Sequence, residues 1–340
     1  MYRLTLNVSR TACFLNMKLK NSIGARIASW VISLTLVGCN SSYKITEEDV
    51  TFDRHTGTEA FYNRELTHVT LPETVVRIGE QAFRHNRLTK ITIPLSVTRI
   101  ADGAFSKNLL THVTIPSSLS IIERKVFAYN QLRSVQIPDS ISIIGPLAFV
   151  ENKLSYVTIP ASVENIEQKA FAYNRLTSVV IPDSVQVVKL GAFLDNDLTN
   201  VTISKSLLTL PTRVFAENKL TQITIPESVI KIEEEAFHDN QLKTIVIPDG
   251  VERIGKRAFA NNKLENVTLP DEVKVIARSA FSNNRLTHVD IPTSVARIER
   301  GAFSCNQLTK VALPYAFEGL EPLAFDQGTL LEKKGCRKTN

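Results

Sequence analysis

The chain has 340 residues, of which 43% are hydrophobic and 22% are charged, and it carries a formal net charge of +6 at pH 7. Five of these charges lie in residues 1–38, which hold Arg3, Arg10, Lys18, Lys20 and Arg26 but no acidic residue. The rest of the chain is nearly neutral and lacks the basic surface that nucleic-acid binding requires. We therefore predict no nucleic-acid partner.

The amino-terminal segment has the three-part organisation of a secretory signal peptide. Basic residues after Met17 precede an apolar run of 11 residues, 27–37, and the small Gly38 precedes Cys39. The run is too short for a membrane-spanning helix, which needs about 20 residues. We predict a signal peptide over residues 1–38, with Met17 as the start of translation, that is absent from the mature protein.

The junction Leu36-Val37-Gly38-Cys39 resembles the lipobox of bacterial lipoproteins. The resemblance implies lipidation of Cys39, cleavage before it, and stable anchoring by two or three acyl chains. In Gram-negative lipoproteins an Asp after the Cys tends to mean inner-membrane retention, and Asn40 stands there, so the resemblance implies the outer membrane. The alternative is an ordinary signal peptide that happens to end in Cys.

Residues 39–58 precede a regular repeat and are out of register with it, as apolar Val50 and Phe52 show. The terminal turns of a stack must be atypical, because a bare sheet edge invites pairing with another chain. After the lipidated Cys39, we therefore expect a linker and an amino-terminal cap in this segment.

A repeat of 22 residues occupies residues 59–327 in about twelve copies. Leu follows each Phe of the repeat by five residues, and in the complete repeats Val or Ile follows by eight and Ile or Leu by ten. Pro follows at eleven, except in one repeat where Ser204 replaces it. The Phe residues recur without a shift as Phe61, Phe83, Phe105, Phe127, Phe149, Phe171, Phe193, Phe215, Phe237, Phe259, Phe281, Phe303 and Phe325.

The consensus L-T-x-V-T-I-P-x-S-V-x-x-I-x-x-x-A-F-x-x-N-x predicts the local structure of each copy. The L-T-x-V-T-I segment is rich in β-branched residues and favours a strand that Pro ends. The V-x-x-I segment favours a second brief extended piece or a turn, and the stretch around A-F is long enough for one helical or 3₁₀ turn. A single copy cannot bury its own apolar face, so the copies must stack.

Two repeat positions are predicted to form structural ladders inside this stack. The same apolar residue, Phe, recurs in every turn. An Asn stands three residues after Phe in 11 successive repeats. An inward amide has two donors and an acceptor that can satisfy backbone groups left unpaired in a tight turn. The predicted ladder residues include Phe83, Phe105, Phe127, Asn86, Asn108 and Asn130.

These residues resemble the leucine-rich repeat superfamily, whose core signature is L-x-x-L-x-L, and within it the BspA-like (treponemal) class. The segment LTSVVIPDSVQVVKLGAFLDND, residues 176–197, carries the I-P-x-S-V and A-F signatures of that class. The resemblance implies a mainly β, right-handed leucine-rich repeat solenoid with a parallel sheet on one face and short strands, turns or 3₁₀ segments elsewhere. The class often carries Cys where this chain has Asn.

The carboxyl end departs from the repeat and is interpreted as a basic tail over residues 328–340. It contains Lys333, Lys334, Arg337 and Lys338. Cys305 and Cys336 form a possible disulfide in an oxidising compartment. The sequence leaves open whether these two residues lie close together.

The predicted strands leave a variable polar face, because alternation sends residues seven and nine after Phe outward. Solenoids use such faces to bind extended partners. The alternative is that Thr stands there for strand propensity and cross-strand contacts alone. The candidate binding face comprises His68, Lys90, His112, Tyr156, Asn200, Gln222, Asn266, His288 and Lys310.

The motifs of common enzymes and cofactor sites are missing from the sequence, which has no P-loop, G-x-G-x-x-G, G-x-S-x-G or H-E-x-x-H. His68 and His112 are two turns apart, roughly 10 Å, which is too far for one metal ion. We predict no cofactor, no metal and no enzymatic activity.

The sequence favours a lipid-anchored envelope protein that presents a surface for a protein or glycan ligand. BspA-like proteins include surface adhesins, so the resemblance adds adhesion and surface exposure as hypotheses. The alternative is a periplasm-facing structural or scaffolding lipoprotein.

Overall fold

The computed structural model describes residues 57–315 and 317–333 together with the backbone of the strands Phe14–Leu19, Ile32–Val37, Ser42–Lys44 and His55–Thr56. These residues form 24 strands and no helix. The predicted solenoid is confirmed, since strands 22 residues apart pair in parallel along the stack. Cys39, which is predicted to be lipidated, the start of the predicted cap and residues 334–340 lie outside the described part of the chain.

Two strands precede the solenoid, in the region of the predicted signal peptide. Phe14–Leu19 pairs antiparallel with Ile32–Val37. In the described part of the chain, no helix is long and apolar enough to cross a membrane.

The first row of strands begins seven residues after Phe in the repeats, and we call its outward side the first-row face. Its side chains alternate, as in Tyr156–Thr158, where the outer residues are exposed and Val157 is buried. The row contains Ser42–Lys44, His68–Thr70, Ser134–Gln136, Tyr156–Thr158, Ser178–Val180, Asn200–Thr202, Thr244–Val246, Asn266–Thr268, Lys310–Leu313 and Leu330–Lys333. These ten strands form separate two-stranded sheets and not one continuous sheet.

The second row confirms the brief extended piece that the V-x-x-I segment favours. Its two-residue strands form parallel sheets of three, four and five strands, so this row is more continuous than the first. The row contains His55–Thr56, Arg77–Ile78, Arg99–Ile100, Ile121–Ile122, Ile143–Ile144, Asn165–Ile166, Val187–Val188, Thr209–Leu210, Lys231–Ile232, Arg253–Ile254, Val275–Ile276 and Arg297–Ile298.

The segment around each repeat Phe consists of turns with single hydrogen bonds, such as Ala82 N to Gly79 O at 3.2 Å, and forms no helix or 3₁₀ helix in the described residues. The backbone is left-handed two residues before and two residues after Phe, as at Gln81 (φ 52°) and His85 (φ 59°). Residues in this conformation interrupt a right-handed helical turn. Hydrogen bonds to the next turn stabilise the segment, because Phe83 N donates to Ala104 O at 2.8 Å.

The Phe residues form one interior column along the solenoid. Consecutive rings from Phe61 to Phe325 stack with centroids 5.1–5.9 Å apart and interplanar angles of 3–25°. The rings from Phe83 to Phe303 are fully buried. The offset-stacked arrangement adds to the hydrophobic stabilisation that burial of each ring provides.

Each end of the solenoid carries an additional first-row strand. Ser42–Lys44, in the predicted linker and cap, pairs with His68–Thr70. At the other end Leu330–Lys333 pairs with Lys310–Leu313, so the predicted tail begins with a paired strand.

Asp326 terminates the hydrogen bonding between turns at the carboxyl end. Its carboxylate oxygens accept from Cys305 N at 2.7 Å and from Asn306 N at 3.0 Å. In the preceding turn the corresponding amides, Asn283 N and Asn284 N, donate to backbone carbonyls. The side chain thus replaces carbonyls that a further repeat would supply.

Candidate ligand-binding face

The Asn side chains fix the position of each turn relative to the turn before it. Asn108 Nδ2 donates to Phe83 O at 2.8 Å and to Phe105 O at 3.1 Å. Its Oδ1 accepts from Leu88 N at 3.1 Å. The same three contacts recur from Asn86 to Asn306. Buried polar groups must be satisfied, so this column holds the backbone just before the first-row strands in register.

A second polar column lies after the strands and comes from the Ser of I-P-x-S-V. Ser162 Oγ donates to Ile141 O of the previous turn at 2.7 Å, and Ser184 Oγ donates to Val163 O at 2.9 Å. Ser140 at the same position is an exception, because its buried Oγ has no hydrogen-bond partner. These Ser residues belong to the consensus, but no role was predicted for them.

The nine candidate binding residues are all exposed and occupy one repeat position, seven residues after Phe. Residues at this position come side by side where the strands pair, as Tyr156 does with Ser134 and Asn266 with Thr244. The exposed residues are His68, Lys90, His112, Tyr156, Asn200, Gln222, Asn266, His288 and Lys310. Their action on a ligand stays a prediction.

Local contacts occupy some of the charged and hydrogen-bonding groups of this face. Lys310 Nζ lies 2.6 Å from Glu332 Oε2, and His288 Nε2 lies 3.3 Å from Asp290 Oδ2. His112 Nδ1 lies 3.1 Å from Thr111 Oγ1. The ring of Tyr156 is 57% exposed, so it offers a large apolar surface to a ligand.

A groove of about 620 Å³ opens on the first-row face between Ser178 and Pro248. Its lining includes Val180 and Val246 together with Asn200, Thr202, Gln222 and Thr224. Sequence reasoning missed this groove. The available signal was the replacement of Thr, the usual residue nine after Phe, by Val180 and Val246.

The turn with Ser204 in place of Pro belongs to the groove region. Ser204 is fully buried, its Oγ donates to Val185 O at 2.8 Å, and it accepts from Ser206 N at 3.1 Å. The neighbouring Lys205 N donates to Asp183 Oδ1 at 2.8 Å. These contacts hold the turn without the restriction that Pro imposes on the backbone.

Two of the groups with displaced pKa values, His85 and Asp102, lie in the turns near Phe83 and Phe105. Burial, assisted by Lys107 and Arg84, lowers the pKa of His85. Burial, assisted by the negative charge of Glu123, raises the pKa of Asp102. By repeat position these groups belong to the turn segments and not to the first-row strands.

The structure describes only some of the residues that the disulfide and metal predictions concern. Cys305 is exposed, and Cys336 lies outside the described residues, so their pairing stays a prediction. Across the described ranges, no group of three or more His, Cys, Asp or Glu side chains could hold a metal ion.

Comparison by sequence identifies one family. The family described as BspA type Leucine rich repeat region matches in six copies, over residues 54–177, 164–248 and 230–336. No curated protein matches the sequence.

Solved structures of bacterial repeat proteins share the fold. A leucine rich cell surface protein from Faecalibacterium prausnitzii A2-165 is 22% identical with a TM-score of 0.57, over 97% of this chain and 96% of that one. A leucine-rich repeat protein from Bacteroides ovatus ATCC 8483 is 24% identical with a TM-score of 0.59, over 86% and 84%. The pneumococcal vaccine antigen PcpA is 20% identical with a TM-score of 0.56, over 96% and 88%. These identities show a shared fold alone.

Proposed function

Because the chain belongs to the BspA-type leucine-rich repeat family, we propose that it is a non-enzymatic cell-envelope protein whose first-row face binds a protein or glycan ligand. The observation that carries this proposal is a column of nine exposed, variable side chains on a stack whose interior repeats. Stacked repeats build long surfaces of this kind for extended partners. A rigid stack also reduces the ordering cost of binding.

The proposed location is the outer membrane, with a lipid on Cys39 and the solenoid at the cell surface. The lipobox-like junction supports the anchor. The description of the Faecalibacterium protein as a cell surface protein, and of PcpA as a vaccine antigen, supports exposure. Adhesion is the role that this location and an extended face would serve.

The absence of catalysis is part of the proposal. The polar side chains of the face recur at one repeat position, whereas a catalytic acid, base or nucleophile is needed once. The groove on the face is lined by Val, Ile, Thr, Ser, Asn, Gln and Pro residues and one Glu. This set lacks the paired titratable groups of general acid–base catalysis.

The location is tested by protease treatment of intact cells followed by detection of the solenoid. Digestion without lysis supports surface exposure. Full protection until lysis contradicts it and supports the periplasm-facing scaffold instead. Metabolic labelling with a fatty acid, with Cys39→Ser as control, tests the anchor.

The binding face is tested by a pull-down with the mature chain, followed by replacement of Lys90, His112, Tyr156 and His288 with Ala. We expect the captured ligand to be lost. The matched control replaces four exposed residues at or beside the second-row strands, Arg77, Gln186, Lys231 and Arg253, with Ala. Equal capture by both variants would contradict binding through the first-row face.

A further inference from the structure

The groove lies at one of the places where the first row of strands is interrupted, residues 222–224. Ser178–Val180 pairs with Asn200–Thr202, and Thr244–Val246 pairs with Asn266–Thr268. The turn between these sheets, residues 222–224, is described but forms no strand, and its backbone makes no hydrogen bond to either neighbour. Ile223 and Val201 are partly exposed and line the groove, so its lining between the two valines is partly apolar.

Two valines mark the ends of the groove. Val180 is 62% exposed and Val246 is 69% exposed, although the same position holds Thr in most turns. They are three turns apart, which is roughly 14 Å if the 4.8 Å spacing of paired strands is kept across the interruption. Thr202 and Thr224 occupy the two turns between them. Along the solenoid axis the groove therefore presents an apolar side chain, then two hydroxyl groups, then a second apolar side chain.

This spacing matches an extended polypeptide. An extended chain rises about 3.4 Å per residue, so side chains four residues apart are roughly 14 Å apart and lie on the same side of the chain. The intervening side chain on that side falls between Thr202 and Thr224. A glycan offers hydroxyl groups but no pair of aliphatic side chains at this spacing.

The charge at one edge of the groove favours a basic segment. Glu227 and Asp249 follow the first-row strands and are exposed, and neither makes an ion pair within the described part of the chain. On the opposite edge Lys219 is already paired with Asp197 at 2.6 Å, while Lys243, which precedes the lining residue Thr244, is exposed. Lys205 stands on the acidic edge, one turn before Glu227. The unpaired carboxylates leave negative charge available to a partner.

We propose that the groove between Val180 and Val246 binds an extended, basic protein segment with two aliphatic side chains four residues apart. The segment lies along the solenoid axis, its aliphatic side chains contact the two valines, and its basic side chains reach Glu227 and Asp249. This inference rests on the proposed function and specifies the ligand class for part of the same face.

A labelled peptide, Lys-Ser-Ile-Lys-Thr-Lys-Ile-Ser-Lys, is the probe, and fluorescence anisotropy with the full mature chain is the measurement. Its two Ile residues are four apart. One control peptide exchanges the second Ile with the Lys before it, which places the two Ile residues on opposite sides of an extended chain. A second control replaces every Lys with Glu. We expect saturable binding of the probe and roughly tenfold weaker binding of each control.

Two double variants test the groove. Val180→Thr with Val246→Thr introduces the residue found in other turns, so folding is expected to be kept. Its control, Leu95→Thr with Leu208→Thr, changes two exposed apolar residues outside the groove. Glu227→Gln with Asp249→Asn removes the charge. Its control, Glu73→Gln with Asp139→Asn, alters the same repeat position elsewhere. Circular dichroism and thermal unfolding verify the fold of all four.

Weakening of probe binding by about tenfold in both groove variants, but in neither control, supports the proposal. Absence of saturable binding, or equal binding of the probe and its exchanged isomer, overturns it. If the pull-down ligand still depends on Lys90, His112, Tyr156 and His288 when the peptide fails, the proposed function stands and this inference alone is wrong. Capture of a glycan through the groove residues would also overturn it.

Discussion

The interior columns and the first-row face use the same 22-residue period in opposite ways. Inside, Phe and Asn recur with almost no change, because each side chain contacts the corresponding residue or backbone of the neighbouring turn. On the face, residues seven after Phe include His, Lys, Tyr, Asn and Gln, and their side chains are exposed.

The difference shows which positions the stack constrains. A buried residue must fit against a copy of itself at both sides, so a change at one turn disturbs its neighbours. An exposed residue at a strand position keeps the backbone pairing whatever its side chain. Positions that repeat therefore indicate the architecture of the stack. Positions that depart from the repeat indicate local features, as Val180, Val246 and Ser204 do.

The largest expected effect comes from an interior ring. Phe171→Ala removes a fully buried ring that stacks on Phe149 at 5.5 Å and on Phe193 at 5.6 Å. We expect the free energy of unfolding, measured by urea denaturation, to fall by about 3–5 kcal/mol. Tyr156→Ala on the face is the control and should change it by less than about 0.5 kcal/mol. Similar losses at both positions would break the distinction between interior and face.

The Asn column should be sensitive to position along the stack. Asn196→Ala leaves Leu176 N and the carbonyls of Phe171 and Phe193 without their side-chain partner. We expect a loss of about 3 kcal/mol, since each buried unsatisfied group costs about 1–3 kcal/mol. Asn306→Ala should cost less, because Asn306 is only partly buried and water can replace the amide. An equal loss at both sites would contradict this explanation.

The Ser column offers a smaller effect with an internal control. Ser162→Ala removes the 2.7 Å hydrogen bond to Ile141 O and should lower the free energy of unfolding by about 1 kcal/mol. Ser140→Ala removes a buried hydroxyl without a partner and should be neutral or stabilising. A loss at Ser140 as large as that at Ser162 would show that the hydrogen bond is not the cause.

The smallest effect depends on pH. The folded-state pKa of His85 is lowered from 6.5, first by burial and then by Lys107 and Arg84. As the pH falls, His85 is therefore protonated in the unfolded chain before it is protonated in the folded chain. The contribution of His85 to the free energy of unfolding is complete above pH 6.5 and declines as the pH falls towards the folded-state pKa.

His85→Asn removes this titration and keeps a residue that tolerates the left-handed backbone. As the pH falls from 8 to 5.5, the natural protein should lose the contribution of His85 and the variant should not. The free energy of unfolding of the variant, relative to that of the natural protein, should therefore rise as the pH falls. Urea denaturation at the two pH values measures the change. The opposite sign would exclude a lowered pKa at His85.

Much of the fold followed from the period, and less of the candidate site did. The Phe spacing indicated one interior column, and the structure stacks these rings. The sequence left turns and 3₁₀ segments open around Phe, because Gln81 and His85 have left-handed backbones without being Gly. The Asp326 contacts with Cys305 and Asn306 could not be predicted, since they depend on where the stack ends.

The sequence by itself determined the repeat unit, the interior residues and the existence of an exposed variable column, because a stack of equal turns requires the same apolar residue at the same place. Only the tertiary structure decided where the first row is interrupted and that Val180 and Val246 face one groove. Those features depend on how separate turns are placed against each other. Side chains in a single 22-residue copy carry no information on that placement.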